Sequence, residues 1–364
     1  MKLLIQPGDG AGPLVKAIQS AKRTVEIAIF RFDLTEIEKA LAHAVTRGVS
    51  VHALIAHTNR TGEENLRQLE LRLLAAGVTV ARTADDLLRY HGKFMIVDHT
   101  LLYVLGFNLT HLDAERSRSF GLVTRSRDLV HEACRLFEAD SQRNPYEAGL
   151  DRFVVSPVNA RRQLAAFIQS AKKELLIYDP KISDPPMTRL LEARARQGAD
   201  VRIIGKLTRK SALLKARKLT TRLHTRTMVR DGQWVFVGSQ SLREMELDSR
   251  REVGVIFRNP KIAGQIAKTF HDDWQASEQP EVGVPRAVPP AEKLAKKVAK
   301  VIVKELPAVA PVVDTVVKDL SVEGCLELDM TEVEQTVKEA VKQAVREAVK
   351  DVVEEAVEQT KEVA

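Results

Sequence analysis

Two short stretches of the sequence carry the same set of reactive side chains. His91, Lys93 and Asp98 form a His-x-Lys-x4-Asp pattern that closes on Gly106 and Asn108. His224, Arg226 and Asp231 repeat it 133 residues later and close on Gly238, Ser239 and Ser241. On an extended chain, residues two apart project to the same side. An imidazole and a cation would then share one site. That pairing suits a phosphate, with one group to attack or to move a proton and the other to hold negative charge. One such spacing in a chain of this length carries little weight. The same spacing at matching places in two halves carries far more.

The two stretches sit in a duplicated unit. Ile-Gln-Ser-Ala-Lys occurs at 18–22 and again at 168–172, and Arg47-Gly48-Val49-Ser50-Val51 matches Gln197-Gly198-Ala199-Asp200-Val201. Apolar runs predict strands at Leu3–Gln6, Thr24–Phe30, Val78–Ala81, Phe94–Val97, Leu101–Leu105 and Arg118–Val123. Helices are predicted from Gly12, over Leu34–Arg47 and Asp128–Ala139, with a further one opened by the capping box Thr61-Gly62-Glu63-Glu64. Asp98-His99-Thr100 reads as the turn of a hairpin. The second unit begins near Phe153, repeats this order and ends in a helix over Pro260–Ser277. Gly8 to Gly12 resembles a dinucleotide turn only loosely, and its counterpart Pro157-Val158-Asn159 has no glycine. Asp9 and Asn159 read instead as helix N-caps. The fold expected is α/β, two packed copies of one unit at 1–150 and 151–280, followed by a linker and charged helical tail at 281–364.

Such copies can pack about a pseudo-two-fold axis that brings the two histidines face to face. One imidazole would attack phosphorus and form a phospho-histidine. The other would protonate the leaving oxygen and then deprotonate the incoming water or alcohol. Lys93 and Arg226 would hold the non-bridging oxygens, so no metal and no cofactor is implied. No cluster of His, Cys, Asp and Glu at ligand spacing is found; His52 and His57 point to opposite faces of a strand.

Composition bounds the partners. The 364 residues carry a net charge of +7, which points to an anionic partner. After Gly283 there are 12 basic and 16 acidic residues, so the first 283 residues are more basic than the whole. Val201 to Arg230 contains no acid. With two cysteines, three apolar residues before Gln6-Pro7, and no long apolar run, the reading is cytoplasmic, with peripheral contact at the inner face of a membrane. That contact is assigned to the basic amphipathic stretch 291–306. In 333–357 a Val recurs at every fourth residue, a stripe that winds around a helix and offers a self-association segment.

The paired motifs resemble the HxKxxxxD motifs of the phospholipase D superfamily, over about three quarters of the chain. Leu105-Gly106-Phe107-Asn108 is similar to the Gly-Gly-x-Asn end found in cardiolipin synthase-like members, and Gly238-Ser239-Gln240-Ser241 to the Gly-Ser-x-Asn form. The resemblance implies two α/β/α sandwich units and metal-independent phosphodiester hydrolysis or transfer. It also implies His91 as nucleophile and His224 as acid and base. Arg226 stands where the family has Lys, and Ser241 where it has Asn. The family often places a Glu after each motif to orient an imidazole. Glu252 fits that place in the second half, while Ser119 occupies it in the first, so the first histidine is expected to be held differently. Asp98 and Asp231 are expected to fix turns. A phospholipid is the leading substrate; nucleic acid and a weakened anion-binding scaffold are the alternatives.

Overall fold

Alternating apolar residues place each central strand between two cores. In the computed structural model, which describes residues 1–57, 63–209 and 211–277, Val25, Ile27 and Ile29 enter one cluster while Ala28 and Phe30 enter another. Leu175 and Ile177 against Leu176 and Tyr178 repeat the arrangement in the second half. This is the period-two pattern of a sheet covered on both faces.

The first half runs β1 (Lys2–Gln6), α1 (Gly12–Ser20), β2 (Thr24–Ile29), α2 (Thr35–Thr46), β3 (Ser50–Ile55), α3 (Glu63–Ala75), β4 (Thr79–Arg82), β5 (Arg89–Tyr90), β6 (Phe94–Val97), β7 (Leu101–Leu105), α4 (His111–Arg116), β8 (Ser117–Thr124) and α5 (Arg127–Gln142). The second runs β9 (Phe153–Ser156), α6 (Ala160–Gln169), β10 (Glu174–Ile182), α7 (Pro185–Arg196), β11 (Asp200–Leu207), β12 (Lys215–Arg217), β13 (Arg222–Leu223), β14 (Arg226–Arg230), β15 (Trp234–Gly238), α8 (Glu244–Asp248), β16 (Arg250–Arg258) and α9 (Pro260–Ala276).

Strand order is duplicated too. The first sheet reads β1-β8-β7-β6-β2-β3-β4, and the second reads β9-β16-β15-β14-β10-β11-β12. Only the pairs after β2 and after β10 are parallel along these paths. One element has no counterpart. Among the described residues no helix lies between β11 and β12, whereas α3 lies between β3 and β4. Gly205 lies on β11 at φ +149, where an added Cβ would stand 1.7 Å from the Asp179 carbonyl oxygen. No side chain fits there, and β10 bulges between Asp179 and Ile182.

The two halves exchange short strands. β5 pairs in parallel with β16 of the second half, and β13 pairs in parallel with β8 of the first. Reciprocal ion pairs repeat the exchange: Arg251 meets Asp140 at 3.0 Å, and Arg118 meets Asp273 at 2.7 Å. This self-complementary pattern is that of a two-fold interface. The inner faces of both sheets, with α5 and α9, form one shared core. Tyr178 sits in it with ring centroids 5.3 Å from Phe120 and 5.1 Å from Phe270, and its hydroxyl donates to Asp273 Oδ2 at 2.6 Å. Truncating a buried aromatic of this kind to Ala costs about 3–5 kcal/mol. Residues Met1–Glu281 accordingly form one compact unit.

Two expectations change. Asp9 does not cap α1, which is preceded by Ala11; its Oδ2 accepts the Ile5 N–H at 2.8 Å. Asn159 stands at the N-cap position of α6, but its Oδ1 likewise turns back, to the Val155 N–H at 2.7 Å. Both side chains close the turn after an edge strand instead of a helix end. The Thr61-Gly62 part of the capping box, the stretch 291–306 and the Val stripe 333–357 lie outside the described residues. Among the described residues no helix is long and apolar enough to cross a membrane.

Candidate active site

The exchanged strands position the histidines. β5 ends at Tyr90 and β6 begins at Phe94, so His91, Gly92 and Lys93 cross from one sheet to the other. The His91 N–H donates to Arg251 O at 2.7 Å, and the His224 N–H to Arg118 O at 3.1 Å. The shared strand expected for His91 and Lys93 is therefore replaced by a crossing segment, because the residues before each motif pair with the other half. Lys93 Nζ donates to the His91 carbonyl at 2.6 Å, and Arg226 Nη1 to the His224 carbonyl at 2.9 Å. Gly106 makes the close approach possible: a Cβ there would lie 2.8 Å from Phe120 O and 3.1 Å from Thr225 Oγ1.

Glu252 lies across the two-fold from the place the sequence suggests. Its fully buried Oε2 stands 2.7 Å from Nδ1 of His91, not beside His224. A carboxylate on Nδ1–H fixes the tautomer that leaves the Nε2 lone pair free. The counterpart Ser119 is buried, and its hydroxyl has no hydrogen-bond partner among the described residues. The histidine held differently is thus His224, the reverse of the expectation. Asp113 Oδ2 lies 3.2 Å from His224 Nδ1, at ion-pair distance but out of hydrogen-bonding alignment.

Asp113 also holds the end of the first motif. Its Oδ2 accepts the Asn108 N–H at 2.8 Å and Nδ2–H at 2.7 Å, and its Oδ1 pairs with Arg222. Asn108 Nδ2 is 3.5 Å from His224 Nε2. Glu246 is the second-half equivalent. It accepts the Ser241 N–H at 2.9 Å and lies 3.7 Å from the Arg226 guanidinium. Ser241 Oγ in turn accepts from Arg226 Nε at 3.0 Å. Sequence reading missed both acids. The signal was an acid five residues after Asn108 and after Ser241, on short helices that the apolar pattern did not reveal.

Other expected residues are placed as follows. Ser239 Oγ accepts the Val253 N–H at 3.1 Å, on the strand that carries Glu252. Asp98 and Asp231 lie at positive φ in the two hairpin turns. Their carboxylates accept backbone N–H groups of Lys22, Arg23 and Thr24, and of Lys172, Lys173 and Glu174. Burial alone would raise both carboxyls, but these donors hold them below the usual range. Phe30, also missed, packs edge-on to His91 with ring centroids 4.7 Å apart, and Lys93 Nζ lies 5.4 Å from its centre.

Burial sets the charge state. Desolvation, then the Lys93 and Arg226 charges, pull His91 well below the ordinary imidazole value; desolvation, Arg226 and Lys93 do the same to His224. Desolvation pushes Lys93 down to about 7 against the pull of Glu252. Glu252 is raised by burial, opposed by Lys93 and Arg226. Both halves therefore bring to the site an imidazole held below its ordinary value and a basic side chain, groups suited to phosphorus chemistry.

The absence of a ligand cluster also needs correction. The fold brings donor atoms of Glu26, His99 and Cys134 within 4.8 Å of one another. They come from β2, the β6–β7 turn and α5, so no spacing in the sequence announces them.

A family model described as the cardiolipin synthase, PLD-like domain matches residues 14–141 and again 164–274. The chain belongs to the phospholipase D-like family. Membership agrees with the duplicated fold. Among solved structures, phosphatidylserine synthase of Haemophilus influenzae Rd KW20 is similar at 12% identity and a TM-score of 0.61, covering 82% of this chain and 93% of that one. Polyphosphate kinase of Porphyromonas gingivalis is similar at 16% identity and a TM-score of 0.64, covering 75% of this chain. This chain spans about half of that kinase, 47% of its length. The phospholipase D family member Nuc of Salmonella typhimurium aligns at 23% identity and a TM-score of 0.36, over 40% of this chain and 95% of that one. No curated protein matches the sequence.

Proposed function

We propose that the protein is a metal-independent phosphodiesterase or phosphatidyltransferase acting on a phospholipid, with His91 as nucleophile. The observation that carries this reading is the buried 2.7 Å contact of Glu252 with His91 Nδ1, which leaves Nε2 free. Nε2 attacks phosphorus as the bond to the leaving oxygen breaks, giving a phospho-histidine. His224 gives that oxygen its proton. His224 then takes the proton of water or an alcohol, whose oxygen attacks phosphorus as the P–N bond breaks. Lys93 and Arg226 hold the non-bridging oxygens. Burial and then the two cations depress the imidazoles, and a bound anion that offsets the cations favours the protonated form of His224.

The preference for lipid over nucleic acid draws on the acid-free segment. Arg202 pairs with Glu174 and Asp200, Lys215 with Asp200, and Arg222 with Asp113. These three cations of the segment are already engaged and add little to a track for a polynucleotide backbone.

The test is incubation with phosphatidylglycerol vesicles and with labelled DNA, each with chelator, for wild type and His91→Ala. Headgroup release or lipid transfer that needs His91 and persists with chelator is expected. Lipid turnover that survives His91→Ala contradicts the assignment. Nicked DNA with intact lipid would promote the nuclease, and turnover of neither would favour the anion-binding scaffold.

A further inference from the structure

The one element that breaks the repeat also builds a cavity. A cleft of about 540 Å³ is walled by α3, by the segment after β2 and by the Asn108–Asp113 turn, within the range of small-ligand sites. Asn108 and Asp113 are the residues that meet His224, so the cleft opens on the acid-base side of the site. Three guanidiniums face it, from Arg31, Arg72 and Arg222. Arg72 is paired with Glu38, and Arg222 with Asp113. Among the described residues Arg31 has no carboxylate partner and its buried Nε has no hydrogen-bond partner; its guanidinium carbon lies 5.9 Å from the centre of the Phe30 ring. The two carboxylates on the wall are engaged: Asp33 accepts the His111 N–H at 2.7 Å, and Asp113 holds Asn108 and Arg222. Phe32, Leu66 and Leu112 supply apolar wall beside the charge.

A partly desolvated guanidinium without a carboxylate partner is suited to a bidentate anion. The reacting phosphate already has Lys93 and Arg226. We propose that this cleft is the subsite for the alcohol that leaves or accepts, that the alcohol carries its own phosphate group, and that Arg31 recognises that group. The proposal rests on the reading of His224 as acid and base. In transfer, the alcohol oxygen gives its proton to His224 and attacks phosphorus while the bond to His91 breaks. Among the described residues the second half has no helix at the place of α3, so a two-fold site acquires one alcohol side.

Titration calorimetry with sn-glycerol 3-phosphate and with glycerol tests this on the full chain, for wild type, Arg31→Lys, Arg31→Met and Lys93→Met. Wild type binds the phosphorylated alcohol and not glycerol. Arg31→Met weakens binding at least about 10-fold, as loss of a charged hydrogen-bonded contact does, Arg31→Lys weakens it less, and so does Lys93→Met. Thermal melting of each variant reports its folding, and the Lys variant separates lost charge from lost packing. Competition by phosphatidylglycerol vesicles identifies a lipid headgroup as the source of the phosphate; failure to compete identifies a free phosphorylated alcohol. Wild-type affinity in Arg31→Met, with binding abolished by Lys93→Met, overturns the proposal by placing the probe at the reacting phosphate. No binding to wild type overturns it as well. Arg31-dependent binding without diester turnover keeps the subsite and removes the catalytic reading; turnover without such binding does the reverse.

Discussion

The first half brings Lys93, Asn108, Asp113 and Ser119 to the site, where the second half brings Arg226, Ser241, Glu246 and Glu252. The scaffold under these pairs is the same. Each cation donates to the carbonyl of its own histidine, and each acid on the short helix accepts the N–H of the motif's last residue. The side chains differ, and the differences all set one direction. His91 receives a buried carboxylate in hydrogen-bonding contact, while His224 receives one at ion-pair distance that is shared with Asn108 and Arg222. Two-fold architecture thus supplies convergence, and departures from it give the two histidines different surroundings.

The comparison breaks most readily at Glu252 and Ser119. Glu252→Gln removes the charge that holds the His91 tautomer, and turnover of a diester should fall on the order of 1,000-fold. Ser119→Ala removes a hydroxyl that has no hydrogen-bond partner among the described residues, and turnover should stay within about twofold. Equal losses in steady-state kinetics would mean that both halves orient their histidines alike.

A smaller effect is expected at Asp113. Asp113→Asn keeps an acceptor for the Asn108 backbone but removes the charge facing His224, and should cost about 10–100-fold. The loss should be larger for a substrate with a poor leaving group than for a nitrophenyl diester, whose leaving oxygen needs little protonation. Equal losses on both substrates would assign Asp113 to structure alone.

The smallest change is a displacement of the pH profile. Lys93 is pushed down to about 7, so its charge is present below that pH and lost above it. The ratio kcat/KM, which reports the free enzyme, should fall as pH rises through about 7. Both imidazoles sit below their ordinary value of 6.5, so the acid limb should lie below 6.5. Lys93→Arg keeps its charge and should carry the alkaline limb upward. An unmoved limb would show that Lys93 does not hold substrate charge in the first half as Arg226 does in the second.

Much of this was legible before the fold was seen. Matched pentapeptides and matched motifs are local signals, and they announce duplicated topology and the identity of His91, Lys93, His224 and Arg226. The pairing of Glu252 with His91 was not legible, because the contact joins residues 161 apart in sequence and depends on strands that leave their own sheet. Two-residue strands such as β5 and β13 carry no periodic signal. Asp113 and Glu246 sit on helices of one or two turns, too short for an apolar stripe. Arg31 gave no signal, since its meaning comes from a helix present in one half alone.

The proposed mechanism assigns the covalent step to His91. The direct measurement is to mix His224→Ala with a phosphodiester, quench, and locate the adduct by mass spectrometry of the peptides. Without its acid and base the second step should stall, leaving the phosphoryl or phosphatidyl group on His91. An adduct on His224 in the reciprocal His91→Ala variant, with none on His91 in His224→Ala, would contradict the claim and exchange the roles of the two halves.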